Sequence, residues 1–126
     1  MTKEGASAHW LDGARKALQG ARALYKDQNY ALCLFHCHLA MEKVLKARLI
    51  EQLDMQDPPP THDLVGLAMK LRHPWNENQK KMLADLTDYA IAARYDDPEW
   101  ARQEATEENC REWIQRVEDF FSLFKV

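Results

Sequence analysis

Apolar residues recur along this chain at three- and four-residue intervals, the period of amphipathic helices. Trp10, Ala14, Ala17, Leu18, Ala21, Leu24 and Tyr25 form one stripe. They predict a first helix with Ser7 as its N-cap, running to about Lys26. Small residues fill the middle of that stripe, so a neighbouring helix can approach closely. Asp27-Gln28-Asn29 interrupts the pattern. A second helix is predicted from Tyr30 to about Leu53, and it is apolar on two sides. One side carries Tyr30, Cys33, Cys37, Ala40, Met41, Val44 and Arg48; the other carries Leu32, Phe35, Leu39, Ile50 and Leu53. Such a helix is the centre of a bundle or half of a subunit interface. Its remaining surface is expected to present His36, Glu42, Lys43 and Lys46.

Asp57-Pro58-Pro59-Pro60 ends that region, because proline cannot continue a helix. Thr61 or Asp63 can cap a short third helix holding Leu64, Leu67, Ala68 and Leu71, which Pro74 stops. Asn76 or Asn78 opens a fourth, with Met82, Leu83, Leu86, Tyr89, Ala90 and Ala93. Arg94-Tyr95-Asp96-Asp97-Pro98 reads as a turn leading into a short helical piece through Glu104. Thr106 caps a last helix whose stripe is Cys110, Trp113, Ile114, Val117, Phe120, Phe121 and Phe124. No segment alternates with period two long enough to read as a strand. The predicted fold is all-α: an antiparallel up-and-down bundle of four main helices plus short ones, a single domain over 1–126.

Composition narrows the function classes. The chain has 126 residues, 46% hydrophobic and 29% charged, which excludes disorder. Charges interrupt every apolar run well short of the ~20 residues that span a bilayer, so no membrane is expected. The first residues lack an apolar signal-peptide core, and three cysteines is an odd count. Reduced thiols and a cytoplasmic location are expected. Seventeen basic residues stand against twenty acidic, a net charge of −3. A duplex-DNA binder is normally basic, so any polyanion site is a local pocket, not a broad basic face.

Cys33, His36 and Cys37 lie at i, i+3 and i+4, which suits zinc, but no fourth ligand pairs with them and the two thiols sit in an apolar stripe. Core packing is therefore expected for Cys33 and Cys37, with no metal or cofactor. Nucleophile-elbow, Walker and dinucleotide-type glycine motifs are absent from the sequence. Cys110 sits on a core stripe, and Asp96-Asp97 reads as a solvated turn. Lys43, Lys46 and Arg94 are the more informative set. Cations beside an aromatic such as Tyr95 can clamp a phosphate and stack a base. The competing reading is a solvated helix face, with Arg94 capping the last carbonyls of its helix.

The stretch His38-Leu39-Ala40-Met41-Glu42-Lys43-Val44-Leu45-Lys46-Ala47 resembles a segment of the HEPN domain, an all-helical family, with Leu39 where glutamine is typical. His62-Asp63-Leu64-Val65-Gly66-Leu67 is similar to its His-x-Leu-x-x-Leu, and Arg94-Tyr95-Asp96-Asp97 to its Arg-Tyr-Pro-Asp, with Asp96 in place of proline. The resemblance runs from about Trp10 to Phe124. It is to the type associated with minimal nucleotidyltransferases. It implies a helical bundle, usually a homodimer, linked to nucleotides or RNA. In the metal-independent ribonucleases of the family, an Arg followed after four to six residues by His stabilises charge and transfers protons at a dimer interface.

No arginine of this chain has His at that spacing; after Arg94 the positions hold Glu99, Trp100 and Ala101. The resemblance therefore implies a nucleotide- or RNA-associated binding module, the non-catalytic partner of a nucleotidyltransferase in a toxin–antitoxin-like system. Its expected contacts are Lys43, Lys46, Arg94 and Tyr95, with His38, His62 and Asp96 as auxiliary groups. The alternative is a divergent ribonuclease in which the fold brings His38 or His62 to Arg94. A purely structural dimer without a ligand is a third.

Overall fold

The structure, a computed structural model, describes residues 2–126. Its helices are α1 (Lys3–Lys26), α2 (Tyr30–Leu53), α3 (Leu64–Ala68), α4 (Glu77–Arg94), α5 (Pro98–Glu104) and α6 (Glu107–Leu123). The cross-contacts give their directions. Lys3 meets Asp54, Ser7 meets Glu51, and Tyr25 meets Tyr30, so α1 and α2 are antiparallel. Tyr25 bonds Glu107 and Arg22 pairs with Glu118, so α6 is antiparallel to α1. Tyr89 of α4 packs edge-on against Trp113 of α6, and Trp75, just before α4, packs on Phe120 and Phe124 near the end of α6. The four long helices thus run up, down, up and down, the predicted all-α bundle.

α2 is the central element, packed against α1, α3, α4 and α6. Leu34, Met41, Leu45, Leu49 and Ile50 are fully buried along it. The close approach of α1 comes from its small stripe, with Ala14 and Ala21 fully buried against the core. The side of α2 bearing Leu32, Phe35 and Leu39 is covered only in part, and Leu32 keeps 43% of its surface exposed.

Three expectations change. The first helix starts at Lys3, capped by Thr2, whose hydroxyl accepts from the Gly5 amide at 3.0 Å. Ser7 is buried and donates to Glu51 at 2.6 Å instead of capping. Nor do Glu42 and Lys46 form a solvated face: both are 4% exposed, beneath Trp10 and the segment that follows the proline run. Asn76 caps α4 in a reciprocal box with Gln79, and Thr106 caps α6. Asp63 holds the N-cap position of α3 without a capping bond from its side chain, while Thr61 accepts from the Asp63 amide. α3 ends at Ala68, short of Leu71, which is nonetheless buried. Among the described residues no helix is long and apolar enough to cross a membrane.

Candidate functional site

Two turns of α2, the last two turns of α4 and the segment entering α3 enclose a cavity of about 230 Å³. Phe35, Leu39, Ala90 and Ile91 give it apolar walls, and His38, His62, Asp63, Thr87 and Arg94 supply its polar groups. Arg94 is the last residue of α4, where a cation also complements the helix dipole. Among the described residues its guanidinium makes no ion pair and no hydrogen bond. Tyr95, next in the chain, is 77% exposed. Asp96 follows at φ 52°, a left-handed geometry that Asp tolerates better than most residues, and it turns the chain toward α5.

Behind one wall lies a buried polar network. Glu42 Oε1 accepts from His62 Nδ1 at 2.8 Å, and its Oε2 accepts from Lys46 Nζ at 3.0 Å. Burial pushes the Glu42 carboxyl up, but the hydrogen bonds from His62 and Lys46 outweigh it and hold the group below the usual range. His38 is 2% exposed, and its Nε2–H donates to the His62 carbonyl at 2.8 Å. That bond fixes the tautomer and leaves Nδ1 without a partner, 3.8 Å from Glu42 Oε1. Burial is the main reason the His38 imidazole titrates below its ordinary value, with the Arg94 charge adding to it. His62 is thus held to α2 twice, by its side chain through Glu42 and by its backbone through His38. Its remaining ring nitrogen, Nε2, belongs to a side chain that is 61% exposed.

Both shifts act in the same direction on stability. A folded-state pKa below the unfolded value means the unfolded chain binds more protons, so stability rises with pH. The His38 contribution is complete above about pH 6.5 and is lost as pH falls below it; that of Glu42 goes below about pH 4.3. The urea midpoint should therefore fall between pH 7 and pH 3. His38→Gln should flatten the upper part of that slope and Glu42→Gln the lower part. An unchanged profile in both variants would contradict the assignment.

The structure unites some of the expected contacts and separates others. Arg94, His38 and His62 line one cavity, although the sequence holds them far apart. Lys43 and Lys46 do not line it. Their ammonium groups lie 5.7 and 5.3 Å from the Trp10 ring centroid, and Lys46 is also paired with Glu42. Gly13 leaves room for Lys43, since a Cβ there would sit 3.2 Å from its Nζ. Sequence reasoning missed Asp63 and Thr87 as lining groups, and Glu42 as the anchor of His62. The sequence marks Asp63 only as a helix cap and as part of the His62 segment, and the meeting of Ile91 and Leu39 at one cavity depends on how α4 crosses α2.

The three cysteines lie fully buried in the core, Cys110 donating to the Tyr30 carbonyl at 3.4 Å. Hydrogen bonding with Cys33, together with burial, pushes the Cys37 and Cys110 thiols well above the ordinary range, which keeps them protonated. Among the described residues no group of three or more His, Cys, Asp and Glu side chains is arranged to hold a metal.

Searches of curated proteins and of solved structures return no match. The family model of the HEPN domain matches residues 7–126, from the first turns of α1 through the end of α6. With the match spanning every helix and all three of the segments that build the cavity, this chain belongs to the HEPN domain family.

Proposed function

We propose that the chain is a nucleotide- or RNA-associated binding module, and that its ligand places a phosphate on Arg94 at the α2–α4 cavity. One observation carries the reading: a guanidinium with no protein partner lines a cavity whose other walls are mainly apolar. A planar base can fill the space between Phe35, Leu39 and Ile91, while its phosphate meets Arg94 and exposed Tyr95 offers a stacking face. Lys46 contributes little, because Glu42 already neutralises it; Lys43 contributes only through the longer-range field. Asp96 acts by shaping the turn after Arg94.

A partner role beside a minimal nucleotidyltransferase, in a toxin–antitoxin-like pair, belongs to the same proposal. So does a homodimer. Leu32 at 43% and Ile91 at 53% exposure border the cavity through Phe35 and Arg94, and a second copy there would cover that strip.

Titration with nucleoside monophosphates and a short RNA, at low and at physiological salt, tests the binding. Affinity should fall with salt. A charge-assisted hydrogen bond contributes ~1.5–3 kcal/mol, so Arg94→Ala should weaken binding about 10- to 100-fold. Lys43→Ala should change it by less than about fivefold, the scale of an exposed charge. Absence of salt-sensitive binding to every probe would overturn the proposal.

A second reading, a divergent metal-independent ribonuclease, is favoured by one feature. Buried Glu42 orients His62 through Nδ1 and leaves Nε2 open on the cavity that Arg94 lines. That arrangement suits a general base beside a cation that stabilises phosphoryl charge. Cleavage of RNA in EDTA, lost in both His62→Gln and Arg94→Ala, would establish this reading. Intact RNA under those conditions is the result expected of a binding module.

A further inference from the structure

We infer that Asp63 reads the base and that the cavity selects guanine nucleotides. The inference rests on the nucleotide reading of the same cavity and adds the class of base. Most of the polar groups lining the cavity are already engaged. Thr87 donates its hydroxyl to the Leu83 carbonyl at 3.0 Å and accepts from the Leu64 amide at 3.2 Å. His38 Nε2 and His62 Nδ1 are taken by the His62 carbonyl and by Glu42, which leaves the other nitrogen of each ring able only to accept, so neither can serve a phosphate. Asp63 and Arg94 differ. Among the described residues neither side chain makes an ion pair or a hydrogen bond, although they carry opposite charges and line the same cavity.

These two groups therefore set what a ligand must offer. Arg94 only donates, so it takes the phosphate. An ionised Asp63 only accepts, so the base must present donors to it. A carboxylate has two oxygens side by side and is best matched by two neighbouring N–H groups. Guanine has that pair, N1–H beside the N2 amino group. Adenine and cytosine each place a ring acceptor beside their amino group, which would face the second carboxylate oxygen. Uracil flanks its single N–H with carbonyls. The same carboxylate that attracts guanine therefore repels the other three.

The Asp63 side chain is exposed and its Oδ2 lies over Gly66, where a Cβ would come within 2.8 Å, so alanine at residue 66 would push the carboxylate aside.

The test is a titration of wild type, Asp63→Asn, Gly66→Ala and Arg94→Ala with GMP, IMP, AMP and CMP. Wild type should bind GMP best. IMP lacks the N2 amino group and should bind about tenfold more weakly, the loss of one charge-assisted hydrogen bond. AMP and CMP should be weaker by about 100-fold or more, because they also leave the carboxylate facing an acceptor. Gly66→Ala should bring the four ligands to within about threefold of one another, whereas Asp63→Asn, which sets an amide donor beside an acceptor, should turn the preference toward AMP and CMP. Both should keep the salt-sensitive, Arg94-dependent binding. GMP and AMP binding equally to wild type would overturn the guanine inference and leave the nucleotide site standing. A guanine preference that survives in both Asp63→Asn and Gly66→Ala would overturn the assignment to Asp63. No binding of any nucleotide would remove both.

Discussion

Replacing Glu42 with Ala is expected to destabilise the domain by about 3–5 kcal/mol, the range found when one partner of a buried ion pair is removed. The Glu42 and Lys46 side chains are each only 6% exposed, and Glu42 is the anion that Lys46 meets. Without it, the ammonium keeps only the Trp10 ring, at 5.3 Å. A cation–π contact contributes about 0.5–2 kcal/mol, too little to offset a buried unpaired charge. His62 would lose its side-chain anchor in the same step, loosening the segment that carries Asp63 to the cavity. The double variant Glu42→Gln with Lys46→Met removes both charges and should recover most of the loss. Urea unfolding of the two variants at pH 7 checks this. A Glu42→Ala loss below about 1 kcal/mol, typical of an exposed pair, would show that the network is solvated.

Trp113→Ala should cost a comparable amount, about 3–5 kcal/mol, as large-to-small changes of buried aromatics do. Trp113 is 2% exposed and packs edge-on against Tyr89, with ring centroids 5.7 Å apart. Arg116 lies over the ring, 4.7 Å from its centroid. This contact ties α6 to the last two turns of α4, so its loss should also loosen the cavity around Arg94. Trp113→Phe should cost much less. Its Nε1 is buried without a hydrogen-bond partner, so phenylalanine discards an unsatisfied donor along with part of the ring. Thermal unfolding with nucleotide titration separates the two effects. An alanine variant with unchanged stability would mean that α4 is held by other contacts.

The helices are legible in the sequence because their apolar period and capping residues agree. Cys110, Trp113, Ile114, Val117, Phe120 and Phe121 mark a single face, and all six are buried. The central place of α2 follows from its two apolar sides. Ser7 misleads because serine is a favoured cap, whereas its hydroxyl reaches a glutamate 44 residues away. Glu42 and Lys46 mislead for a related reason. At i, i+4 they resemble any exposed helix pair, and only the approach of Trp10 and His62 buries them. The cavity is the least legible feature. Arg94 stands out as a cation at a helix end, but its neighbours Phe35, Leu39 and Asp63 come from two other segments. Spacing along the chain carries no record of how α4 crosses α2. The segment similarity to HEPN domains supplied His38, His62 and Arg94 together, and the fold accounts for their company by placing all three on one cavity.

The most direct test of the central proposal is a map of amide chemical shifts in ¹⁵N-labelled protein as GMP is added. Binding at the cavity predicts that the largest changes fall on Phe35, Leu39, Asp63, Ile91, Arg94 and Tyr95, and that they vanish in Arg94→Ala. Changes confined to the shallow groove that Arg22 and Tyr25 of α1 form with Arg111 and Ile114 of α6, or no changes at all, would contradict it.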